Sequence, residues 1–124
     1  MAYELNIQPR GEHLHAIVSG DNTRDNVARY LHELRRECIS RNCARLLIEE
    51  RLAGARLPLV DVFQVVVEES ERAAGLFQAI AYVDVNAGGD LMKFAESLAV
   101  ERGIPVRLFA TVAEAERWLT RASR

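Results

Sequence analysis

Residues 57–74 decide what this chain can fold into, because they read as either a strand or a helix and each reading implies a different fold. Val60, Val62, Val65, Val66 and Val67 favour a strand by β-branched propensity. Against that, Asp61, Gln64, Glu68 and Arg72 recur at helical spacing. Pro58 suits a first helical turn, where its missing N–H costs no bond. The spacing therefore predicts a helix over 57–74.

With that helix in place, the rest of the chain falls into an ordered series. Tyr3–Gln8 alternates apolar with polar, the period of a strand with one buried face. Pro9-Arg10-Gly11-Glu12 is turn chemistry, and His13–Ser19 returns with Leu14, Ala16 and Val18 on one face, so an antiparallel hairpin is expected. After Gly20, Thr23 is a candidate N-cap for a helix that places Val27, Leu31, Leu34 and Cys38 on one face. Asp25/Arg29, Arg29/Glu33 and Glu37/Arg41 are i, i+4 pairs on its solvated side. Ala44–Ile48 is a nearly continuous apolar run, as in a central parallel strand, and Glu49-Glu50-Arg51 is expected to end it.

Phe77–Asp84 is a second such run. Gly88-Gly89-Asp90 opens a helix capped by Asp90, with Leu91, Phe94, Ala95, Leu98 and Ala99 as its apolar positions. Gly103 is placed to terminate it, and Pro105–Ala110 forms the last strand. Thr111-Val112-Ala113-Glu114 has the form of a capping box, opening a helix that buries Val112, Ala115, Trp118 and Leu119. The expected order is ββαβαβαβα: one α/β domain over residues 1–124, with a mostly parallel sheet, an N-terminal antiparallel hairpin and right-handed crossovers.

Three stretches of this series resemble the STAS fold, especially the SpoIIAA-like (STAS/SEC14-type) bacterial proteins. Leu46-Leu47-Ile48-Glu49-Glu50-Arg51 is similar to that family's third strand, which ends in an acidic residue followed shortly by Arg. Ala99-Val100-Glu101-Arg102-Gly103 is similar to its third helix end, and Phe109-Ala110-Thr111 with Glu114–Leu119 to its close. The resemblance implies a non-catalytic regulatory or protein-interaction module. Family antagonists of anti-sigma factors carry a phosphorylated Ser or Thr after the third strand, yet no Ser, Thr or Tyr occurs between Arg41 and Glu69 here. The family's phosphoswitch does not carry over.

Bulk properties narrow the function classes. With 16 basic and 18 acidic residues the net charge is −2, so no global field draws the chain to nucleic acid or to an anionic membrane. No apolar run approaches the length of a membrane span, and the N-terminus lacks a signal core, so a cytoplasmic protein is expected. Cys38 and Cys43 lack zinc-ribbon spacing and are expected to remain thiols. His13-x-His15 could chelate a metal, but no third ligand is evident, so ordinary strand-face residues are expected and no metal or cofactor is assigned.

The candidate ligand- or partner-binding residues are Glu49, Glu50, Arg51, Arg56, Asp84 and Asn86, expected to gather where parallel strands end, at a topological switch point. They would form the polar rim of a pocket, or simply be carboxylates satisfied by local Arg residues, the commoner outcome at loops. The valine-rich face, Val62, Val65, Val66 and Val67 with Phe63, is broader than one buried stripe needs. It could form a homodimer interface or line a cavity for a small apolar or lipid-like ligand, a plain, wide core face being the commoner outcome. No P-loop, GxSxG or HExxH pattern is present, so an enzyme is not expected.

Overall fold

The computed structural model describes residues 3–84 and 89–122, and bears out the element order. The strands are β1 (Tyr3–Arg10), β2 (His13–Asp21), β3 (Arg45–Ala53), β4 (Ala79–Val83) and β5 (Val106–Phe109). The helices are α1 (Arg24–Ser40), α2 (Leu59–Ala73), α3 (Asp90–Glu101) and α4 (Val112–Ala122). One five-stranded sheet runs in the order β1-β2-β3-β4-β5, with β1 antiparallel to β2 and every other pair parallel. The strand order never reverses. The topological switch point expected from sequence is therefore absent from the described sheet, and a ligand site must be sought elsewhere.

Strand parity sorts the core onto two faces. Leu14, Ala16, Val18, Leu46, Ile48 and Ile80 pack on one face with Tyr30, Leu34 and Cys38 of α1 and Ala99 of α3, and Val66 and Ala73 of α2 join them. All three crossover helices thus share a face, as successive right-handed connections between neighbouring strands require. On the opposite face, Leu47, Ala79, Ala81 and Val83 meet Ala115 and Leu119 of α4, with the Phe109 and Trp118 rings in tilted contact beside them, their centroids 5.6 Å apart.

Several boundaries differ from the expectation. Residues 49–51 do not end β3: their partners Ile17, Val18 and Ser19 on β2 carry the ladder on to Ala53. Pro9 and Arg10 belong to β1 and the turn shrinks to Gly11-Glu12, which an edge strand tolerates because a missing donor there is cheap. On α1 the buried stripe is Asn26, Tyr30, Leu34 and Cys38, centred one residue earlier than Val27 and Leu31 suggested. Thr23 caps it, its hydroxyl accepting from the Asn26 amide, and of the three expected surface ion pairs Glu37–Arg41 forms at 3.1 Å. Gly89, not Asp90, occupies the N-cap of α3, and Phe94 faces outward. Cys38 is a buried free thiol and Cys43 a half-buried one; burial pushes the Cys38 thiol up to about 12.

Candidate functional site

Helix α2 is amphipathic, yet only Val65 and Ser70 on it are buried. The reason is where it sits. It packs against α1 and α3 and is held there by ion pairs, Arg35 of α1 with Glu69 at 3.0 Å and Arg102, capping α3, with Glu71 at 3.7 Å. Between α2 and the sheet lies a cavity of about 210 Å³. Val62, Val65 and Val66 form its roof, Leu31 and Leu34 one side, Ala95 and Ala99 the other, and Ile48, Ile80 and Leu108 its floor. The wide valine face predicted from sequence is thus divided. Its inner part lines the cavity, while Phe63, with Leu59 and Val60, faces solvent.

One wall of this apolar space is polar. Glu49 pairs with Val83 at the end of the β3–β4 ladder, so one residue further Glu50 and Asp84 come opposite each other on the cavity face. Their carboxyl groups are hydrogen-bonded to each other. The Tyr30 and Tyr82 hydroxyls lie 2.6 Å apart, and Tyr82 donates to Glu50 Oε2 at 3.1 Å. Since Tyr82 spends its only proton on the carboxylate, Tyr30 must donate to Tyr82. The Leu52 amide donates to Glu50 Oε1 at 3.3 Å, and the Arg56 guanidinium stands 3.7 Å from Asp84 Oδ2. Burial, then the neighbouring Asp84 charge, lifts the Glu50 carboxyl to about 7. Burial and the adjoining acids also raise the Tyr30 and Tyr82 hydroxyls far above the ordinary tyrosine range, so both remain neutral donors. Near neutrality, then, Glu50 is only partly ionised, and the proton it keeps lies in the bond it shares with Asp84.

The candidate residues named from sequence are therefore split. Glu50, Asp84 and Arg56 converge on the cavity face. Glu49 and Arg51 project from the opposite face, where His15 Nε2 donates to Glu49 Oε1 at 2.9 Å and Arg51 Nε to Glu49 Oε2 at 2.6 Å. Burial works against the charge on Glu49, but these bonds outweigh it and hold its carboxyl below the ordinary value. Alternation along β3 makes the separation unavoidable, because adjacent residues of a strand face opposite ways. Asn86 lies outside the described residues. His13 and His15 share the α4 face, and among the described residues no group of three or more His, Cys, Asp or Glu side chains could hold a metal ion.

Tyr30 and Tyr82 are functional candidates that the sequence reading passed over. Parity could have found Tyr82, since it shares a face with Asp84. Tyr30 is visible only once the stripe of α1 is centred on Asn26 and Leu34. Among the described residues, no helix is long and apolar enough to cross a membrane. No model of a known protein family matches the chain, and no curated protein does either.

Proposed function

We propose that this chain is a STAS-like, non-catalytic binding module that takes one small apolar ligand into the cavity beneath α2. The observation that carries the reading is the cavity itself: about 210 Å³ lined mostly by aliphatic side chains. Cores ordinarily close at crystal-like density, and a void of this size forfeits packing contacts that the chain could recover by lowering α2 onto the sheet. An engineered apolar cavity of about 150 Å³ accepts a benzene ring, so this one has room for a small ring or a short chain. It is below the roughly 300–1,000 Å³ of sites for drug-sized ligands. The element order, the leading hairpin and the grouping of α1, α2 and α3 on one face support the STAS comparison. The absence of any hydroxyl side chain between Arg41 and Glu69 argues for regulation by occupancy rather than by phosphorylation.

Ethylbenzene tests the reading. At a hundredfold excess over its Kd it should raise the Tm by about 5–15 °C. Val66→Phe, which fills the roof of the cavity, should remove the shift while the variant still unfolds cooperatively. An unshifted Tm in the unaltered protein defeats the reading.

A second reading, as a module that docks a partner protein or a second copy of itself, is favoured by one observation. Leu59, Val60 and Phe63 stand 58%, 59% and 46% exposed at the start of α2, a cluster of large apolar groups directed at solvent.

A further inference from the structure

We propose that the polar wall of the cavity is a subsite for a primary ammonium group, so that the ligand is a small apolar amine. This rests on the cavity being a binding site and adds which chemistry it selects. The hydroxyl protons of Tyr30 and Tyr82 are committed, one to the next oxygen and the other to Glu50. The wall therefore presents acceptors to a newcomer: the carboxylate oxygens and the second lone pair of each phenol. A carboxylate or phosphate head would meet oxygens and negative charge. An ammonium would meet the Glu50 carboxylate and the two phenol oxygens beside it.

The charge balance points the same way. Fully ionised, Glu50 and Asp84 carry two negative charges against the single positive charge of Arg56, which stands 3.7 Å from Asp84. One more cation balances the wall, and in the empty site the shared proton supplies it. The other charged groups lining the cavity are already engaged: Arg35 with Glu69, and Glu96 with the Leu108 amide at 2.7 Å. An R–NH3⁺ group can take the place of the shared proton, which leaves to solvent. Nothing else changes hands. The apolar remainder of the ligand then lies against Val62, Val65 and Val66.

Exchange of one proton for one ammonium makes affinity depend on pH in a defined direction. Because the Glu50 carboxyl sits at about 7, an amine must displace the proton below that pH and finds the pair already open above it. Its affinity should fall about thirtyfold from pH 8.5 to pH 5.5, by simple competition between proton and ligand. Among the described residues, Tyr30 from α1, Tyr82 from β4, Asp84 just past it, the Leu52 amide and Arg56 are the polar groups that face Glu50.

The experiment is calorimetric titration of the full chain with 2-phenylethylamine, 2-phenylethanol, 3-phenylpropionate and ethylbenzene at pH 5.5, 7 and 8.5. Each pH is run in two buffers of different ionisation heat, to count protons. The amine should bind at least tenfold tighter than the alcohol or the acid at pH 8.5. It should release close to one proton at pH 5.5, and lose both the preference and the proton release in Glu50→Gln. Ethylbenzene binding with an amine that is no tighter, or whose affinity does not change with pH, overturns the amine subsite and leaves the cavity reading standing. If none of the four compounds binds, both fall together.

Discussion

At the scale of single residues, the unusual group is Glu50, a carboxyl that burial and Asp84 hold at about 7 when its unperturbed value is 4.5. Between those two pH values the folded chain keeps a proton that the unfolded chain has released. Stability from this residue is thus complete below about pH 4.5, declines as pH rises toward 7, and levels off above it. Glu50→Gln removes the liability. Allowing for the solvent that still reaches the group, it should stabilise the protein by about 1–2 kcal/mol at pH 8 and by almost nothing at pH 4.5. Urea unfolding at the two pH values measures the difference, and equal effects at both would show that the carboxyl is not held in its neutral form. Glu49, its neighbour in sequence, has the opposite environment: bonds from His15 and Arg51 favour its charge. Composition alone could not tell these two glutamates apart. Strand parity does, by sending them to different faces.

Among the elements, the helix ends were the most readable part of the chain. Gly103, at φ +87°, follows the Arg102 cap of α3. The Gly103 amide donates to the Val100 carbonyl and the Ile104 amide to that of Ala99, the paired bonds of a Schellman ending. A Cβ added at Gly103 would meet no neighbour within 4 Å, so Gly103→Ala carries only the backbone penalty of a left-handed conformation. About 1 kcal/mol of stability should be lost, visible as a lower urea midpoint with an unchanged slope. The Thr111 box formed with a difference: its hydroxyl accepts from the Glu114 amide as expected, but it also donates to the Glu114 carboxylate, which was expected to reach back to the cap amide. For α2, the period of its polar residues outweighed the strand propensity of its valines. Propensity is a weak local bias of at most about 1 kcal/mol, whereas the period determines which face can be buried at all.

For the molecule as a whole, the outward Leu59, Val60 and Phe63 raise the question of what covers them. If they mediate self-association, sedimentation velocity at tens of micromolar should give a dimer that Phe63→Arg converts to a monomer. A monomer before substitution would remove that role and leave these residues to a different partner. The local grammar of this chain—its periods of two and 3.6, its caps, its breaks at Gly and Pro—was sufficient to specify the nine elements of the described residues, their order and the α/β class. Such signals act between residues close in sequence, and they survive whatever the rest of the chain does. Where the polar groups meet was a different matter. Tyr30 and Glu50 come together only because β3 continues past Ile48, its register sets Glu50 opposite Asp84, and α1 turns Tyr30 inward. The cavity likewise exists because α2 is held by α1 and α3 and not drawn onto the sheet. Those are contacts between residues some thirty to fifty positions apart, set by how the elements pack. No pattern within a single segment encodes them, so only the assembled fold could decide which carboxylates share a proton and where a ligand has room.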